Sequence, residues 1–351
     1  MTSSNLRINW IDAAKGACIL AVVLYHFNQF VYQGMYEGHT IALMWNVVIS
    51  ALKPLRMPLF FLISGYLAAT SINKRSWARI RTKKIASLLW VYVLWASLYW
   101  LVVDQLLPAN PWYDSTAEAN ATLMTRVYQL LTADTSLWYL YALVIYFVLV
   151  KALRSPVLGI VAGVASNIAM PFIVPTDQWG LQSLMAYFLF FVIGVHAREF
   201  INTHYMTFSV KRFVLTASIS MAGLGAASHF DLLYAPGVQM LLALVMVSTV
   251  IDLFALTCNY FRLQWLCSVG QQTLPIYVMH QILIKAAAPF MPPIINTPLM
   301  VLEPILATML VAAACLMLYR ILVDIRGRAL FTMPHTLRRI AYRTHMLQPA
   351  V

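Results

Sequence analysis

Apolar residues run in long stretches, at about 8–32, 43–70, 85–107, 136–152, 155–174, 181–197, 213–230, 237–257, 265–287 and 298–323. Each is of the length a helix needs to cross a bilayer core. The pattern predicts ten transmembrane helices. The connectors between them then set direction. With the N-terminus in the cytoplasm, the inside segments collect 20 of the 24 Lys and Arg. The outside loops hold Arg126 alone, against Glu37, Asp104, Asp114, Glu118, Asp134, Asp177 and Asp231. This split follows the positive-inside rule and calls for an even number of spans with both termini cytoplasmic.

Composition agrees. The chain is 61% hydrophobic and 10% charged, where a soluble domain would be about 25% charged. The fold class is therefore an all-α polytopic membrane protein whose surface is shared with membrane lipids. The net charge of +12 is mostly topological, and no nucleic-acid-binding motif accompanies it, so nucleic acid is not an expected partner. Residues 1–325 read as one integral-membrane domain. Residues 326–351 read as a basic tail along the cytoplasmic surface. The long outside loop, about 105–135, carries Trp112 and Tyr113, which suit an interface. Lys15 and His26 interrupt the first apolar run and no small-x-small site follows, which predicts an uncleaved first span. Cys18, Cys258, Cys267 and Cys315 lack metal or redox spacing and are expected to be free thiols. No Walker loop, GxSxG elbow, HExxH helix or Rossmann glycines occur, and no metal site is expected.

Five patterns carry candidate chemistry. Lys15 and His26 are eleven residues apart, so they share one helix face about 16 Å apart in height, with Asp12 near the same stripe. An ionisable residue inside a span is a functional candidate by default, and His26 can exchange a proton near neutrality. The bland alternative is a histidine bonded between helices for packing. In Met57–Leu67, MPLFFLISGYL, Pro58 kinks the helix and Ser64-Gly65 permits close approach. Lys53 and Arg56 sit one turn before it, where snorkelling is the alternative for both. The loop KRSWARIRTKK holds six cations between Lys74 and Lys84. It fits a phosphorylated ligand, and equally topology and anionic headgroups. SLWYLYALVIYF opens a span with Trp138 in an aromatic cluster that also suits an interfacial belt. VGQQTLPIYVMHQ places His280 in the membrane after two helix breakers, Gly270 and Pro275; a structural His is the alternative there.

Taken in order along 8–325, these stretches resemble the integral-membrane acyltransferase-3 family. Asp12, Lys15-Gly16 and His26 match its opening. The form IDAAKG followed by MPLFFLISGYL resembles the branch of sugar O-acetylases and fucose-acetylase-like proteins. Leu-Trp-Tyr-Leu at 137–140, Phe-Phe-x-Ile-Gly at 190–194 and Gly…Ile-Tyr-x-x-His at 270–280 match as well. The resemblance implies a multi-pass enzyme of a bacterial inner membrane. It would move an acyl group, usually acetyl, from cytoplasmic acyl-coenzyme A to a hydroxyl of a surface glycan or glycolipid. His26 maps to the family's catalytic histidine and Lys15 to the cation before it. The family's Arg-x-x-Arg maps to Arg81-x-x-Lys84, where the final Lys lacks a guanidinium fork. Leu55-Arg56 stands where many members of the branch have Phe-His.

The expected mechanism follows. Lys15, Arg79, Arg81, Lys83 and Lys84 hold the coenzyme A phosphates, and the pantetheine arm rises along the Lys15–His26 face. His26 deprotonates the acceptor and Arg56 faces the oxyanion. Asp12, Trp138, His280 and Glu303 are further candidates; His280, Glu303 and Asp252 are the ones considered for orienting His26. The competing class is a glycolipid or sugar transporter or flippase, whose membrane His and cations would relay protons. Transporters commonly carry an internal repeat, and none is visible.

Overall fold

A computed structural model describes residues 9–113, 121–205, 207–233, 235–261, 263–294, 297–334 and 337. Arg7, Asp114, Glu118, Arg262, Arg338, Arg339 and Arg343 of the charge argument lie outside these residues, as does most of the 326–351 tail. The described residues form helices and no strand. The principal helices are α1 Asn9–Phe27, α2 Thr40–Ala51, α3 Lys53–Lys74, α4 Ala86–Tyr99, α5 Leu123–Leu131, α6 Trp138–Leu153 and α7 Pro156–Ile173. After them come α8 Trp179–His196, α9 Val210–His229, α10 Pro236–Tyr260, α11 Gln264–Gln271, α12 Thr273–Ala287 and α13 Thr297–Asp324. The chain is a helical polytopic membrane protein.

Every predicted run falls on helix, but among the described residues seven helices are long and apolar enough to cross a membrane: Trp10–Met35, Thr40–Lys74, Trp77–Asp104, Pro156–Ile173, Trp179–His196, Gly237–Cys258 and Pro298–Asp324. The differences have local causes. Helix α6 is apolar but short. Helix α9 carries Lys211, Arg212, Thr216, Ser218 and Ser220 along its length. The run at 265–287 is two helices, α11 and α12, because it leaves helical geometry at Gln272 (φ −118°, ψ 35°). Pro275 has no N–H to donate back to the Gln271 carbonyl, which favours a break there.

Glycines set the closest crossings. A Cβ on Gly65 would lie 2.1 Å from the Phe191 carbonyl oxygen, and one on Gly194 2.0 Å from that of Leu62. Helices α3 and α8 therefore meet backbone to backbone, as the Ser64-Gly65 pair suggests. Helix α1 meets α11 the same way: a Cβ on Gly16 would be 2.2 Å from the Leu266 oxygen, and one on Gly270 1.7 Å from that of Asp12. Phe61, fully buried, packs against Trp138, Tyr139, Tyr146 and Tyr187 at ring separations of 4.8–5.8 Å. Two of these rings, Trp138 and Tyr187, also line the candidate site.

Candidate active site

Helix α1 widens into a π-helical turn, Asn28–Tyr32, just after His26. Such turns free main-chain groups and recur at functional sites. Here Asn110 of the following loop donates to the Phe30 carbonyl at 2.8 Å, and Asn28 bonds Asn46 at 2.9 Å. The His26 end of α1 is thereby pinned to α2 and to the loop.

A cavity of about 820 Å³ opens beside it. Tyr25, His26 and Gln29 of α1 form one wall, with Lys53 and Arg56 of α3, Trp138 of α6, Tyr187 of α8, and Tyr277 and Gln281 of α12. Helix α5 contributes Leu123, Arg126, Val127 and Leu130, and Arg126 forms an ion pair with Asp104. Gln129, Asp134, Thr135, Ser136, Gln182, Ser183 and Gln239 add polar lining. Aromatic faces together with amides and hydroxyls suit a ligand rich in hydroxyl groups. Asp134 lies between α5 and α6 and accepts from the Gly180 N–H at 3.2 Å. Burial nonetheless raises its carboxyl above the ordinary carboxylate range.

His26 is half-buried. Its Nε2 lies 3.0 Å from the side-chain amide nitrogen of Gln281, and its ring stacks on Phe30 at 5.6 Å. An amide nitrogen only donates, so Nε2 accepts and the proton of neutral His26 sits on Nδ1. The Arg56 guanidinium lies 4.2 Å over the Tyr25 ring. Among the described residues no carboxylate pairs with it, which leaves a positive charge facing the cavity. Tyr277 ties two walls together: its hydroxyl accepts from the Tyr139 N–H at 3.2 Å and donates to the Ser136 oxygen at 3.1 Å. That caps the start of α6, where Trp138 is the first residue.

The fold thus brings His26, Arg56 and Trp138 onto one cavity, with His280 behind His26 at a ring separation of 5.2 Å. Other candidates are elsewhere. Asp12 is buried, 3.8 Å from the Lys15 ammonium and 3.1 Å from the Gln271 amide, and neither Asp12 nor Lys15 lines the cavity. Glu303 accepts from the Tyr36 hydroxyl at 2.7 Å. Asp252 is clasped by Arg212 at 2.7 and 2.5 Å. Neither carboxylate lines the cavity. Arg79, Arg81, Lys83 and Lys84 are exposed around a second π-helical turn, Arg81–Ile85. On the stripe between Lys15 and His26, Cys18 and Ile19 are buried, while Val22 lines the cavity; a pantetheine arm on this face would have to pass the Cys18–Ile19 layer.

Sequence reasoning missed Gln281, whose sole signal is adjacency to His280. It also missed the Asp104–Arg126 pair, though Arg126 stood out as a lone outside cation. Lys285, buried over Phe30 at 4.6 Å and over Tyr99 and Tyr113 at 5.4 Å, gave no pattern at all.

A bundle of membrane-length helices around a cavity of aromatic and polar lining, with a histidine and an arginine in its wall, defines a multi-pass membrane protein with a pocket inside its helical bundle. The chain belongs to the acyltransferase-3 family, whose acyltransferase domain matches residues 8–320. It is 29% identical over 290 residues to Inner membrane protein YcfT of Escherichia coli, covering 79% of each chain. It is 27% identical over 154 residues to Nodulation protein NolL of Mesorhizobium japonicum, covering 43% of this chain and 37% of that one. No solved structure matches.

Proposed function

We propose that the protein is an O-acyltransferase of a bacterial inner membrane that moves an acyl group, acetyl in the first instance, from cytoplasmic acyl-coenzyme A to a hydroxyl of a surface glycan or glycolipid. The observation that carries this reading is His26 in the wall of a large cavity lined by aromatic rings and polar side chains, with an Arg56 guanidinium that no carboxylate pairs among the described residues in the same wall. An acceptor hydroxyl takes the place of the Gln281 amide at Nε2. His26 removes its proton as the oxygen attacks the thioester carbonyl, and Arg56 faces the oxyanion. The C–S bond then breaks and the thiolate leaves with the proton from His26. Trp138 and the cavity amides hold the sugar. The exposed Arg79, Arg81, Lys83 and Lys84, together with Lys15, hold the donor phosphates. The donor's arm takes a route other than past the Cys18–Ile19 layer, or that layer parts on binding.

Ten crossings with both ends cytoplasmic belong to the same proposal, supported by the charge asymmetry of the connectors. Cysteine-accessibility reporters in the 105–135 loop and at the C-terminus are expected on opposite sides; finding both on one side refutes the even count. The reaction itself is tested by giving purified protein labelled acetyl-coenzyme A and comparing surface glycans of a deletion strain with its parent by mass spectrometry. Consumption of thioester and loss of an acetyl mass support the enzyme. A transporter leaves the thioester intact.

A further inference from the structure

A histidine that takes a proton at Nε2 becomes an imidazolium, and its Nδ1–H then needs an acceptor. A carboxylate commonly fills this role. Here Asp12, Asp252 and Glu303 are committed elsewhere: Asp12 to Gln271 and Lys15, Asp252 to Arg212, and Glu303 to Tyr36.

What stands behind His26 is a second imidazole. His280 is 1% exposed, and its Nδ1 lies 3.0 and 2.8 Å from the Ile276 and Tyr277 carbonyl oxygens. Carbonyl oxygens only accept, so Nδ1 carries the proton and Nε2 of neutral His280 is a bare lone pair. That Nε2 is buried and makes no hydrogen bond among the described residues, and the same holds for Nδ1 of His26. The two rings are neighbours, with centroids 5.2 Å apart and planes 41° apart. One therefore offers an orphaned N–H and the other an orphaned acceptor, in a setting where unmet polar groups are costly.

We propose that His280 is the positioning residue for His26, receiving its Nδ1–H in place of the usual carboxylate. The inference rests on the general-base role of His26. The main chain of α12 fixes the tautomer of His280, and its Nε2 receives the His26 N–H as the imidazolium forms. The proton stays on His26 until the thiolate takes it; His280 gains none. Gln281, the next residue, holds the other nitrogen of His26 in the resting site, so one helical turn reads both ends of the imidazole.

The test compares His280→Gln, whose side-chain oxygen can stand where Nε2 stands, with His280→Leu, which has no acceptor. Transfer rate, the donor KM and melting temperature are measured on the same detergent-purified preparations, with His26→Ala alongside. The proposal expects His280→Leu to lose about 10²-fold or more in kcat with KM unchanged, and His280→Gln to stay within about tenfold of the parent. Equal losses in both variants, or losses that follow melting temperature, make His280 a packing residue and overturn the proposal. The Gln29 side chain also reaches the His26 ring and is the competing partner; if Gln29→Leu loses the rate and His280→Leu does not, Gln29 holds the ring instead. Activity surviving in His26→Ala overturns the general base itself. A dead His26→Ala with a fully active His280→Leu overturns the dyad alone.

Discussion

The two polar ends of the molecule are built on opposite plans. The basic end places Arg79, Arg81, Lys83 and Lys84 in the open, on a short helix and a π-helical turn. Two other cations serve the fold: Lys151 donates to the Ile72 and Arg75 oxygens at 2.5 and 2.8 Å, capping α3, while Arg212 clasps Asp252. At the cavity end, polar groups sit among aromatic rings on walls drawn from nine helices, and several are held by neighbouring side chains or main chain. A charge in the open is screened and adaptable. A charge or imidazole inside the bundle acts at full strength but depends on its neighbours. Substitutions are therefore expected to act steeply and specifically in the cavity, and shallowly and additively on the basic surface.

The largest effect belongs to His26. Loss of a general base lowers rate by about 10²–10⁴, so His26→Ala and His26→Gln are both expected to abolish measurable transfer per folded molecule while donor binding persists. Retention of more than about a tenth of the rate by His26→Gln, far above what loss of a base allows, makes His26 a bridging residue and removes the contrast between the two ends.

Arg56 comes next. Removing one oxyanion donor typically lowers kcat about 10²–10³-fold, and Arg56→Leu is expected in that range with little change in donor KM. A change confined to KM places Arg56 with substrate binding and blurs the division of labour between the ends.

The same contrast explains what was legible in the sequence. Helix positions were readable because lipid imposes long apolar runs, and Gly65 was readable because a small residue in such a run implies a close crossing. His26 and Arg56 stood out as ionisable residues inside spans, and Trp138 only as part of an aromatic cluster that also suits an interfacial belt. Their convergence on one cavity was not readable, since α1, α3 and α6 are far apart in sequence and only packing relates their faces. Gln281 and Lys285 escaped because a single polar residue carries no period. The Lys15–His26 stripe shows what spacing alone leaves out. Spacing correctly puts both on one face, but cannot show that α1 buries Cys18 and Ile19 between them. The break at Gln272 was half-signalled by Pro275, whereas α9 was too polar to stand among the membrane-length apolar helices.

The smallest effect is expected on the basic surface, and it decides what that surface is for. Arg81 and Lys84 are exposed, so each contact to a phosphate is worth about 0.2–1 kcal/mol rather than the value of a buried pair. Replacing both by Ala is then expected to raise the KM for acyl-coenzyme A about two- to thirtyfold, with kcat and insertion unchanged. Salt supplies the second reading. Screening shortens to about 3 Å at 1 M, so high salt should raise the parent's KM towards that of the variant and move the variant much less. Arg81→Lys should behave as a mild version, because it keeps the charge and loses the fork. An unchanged KM at every salt concentration, in well-inserted protein, assigns the loop to anionic headgroups. In that case the donor phosphates are gripped by residues nearer the bundle interior, and the open end is an anchor with no part in the reaction.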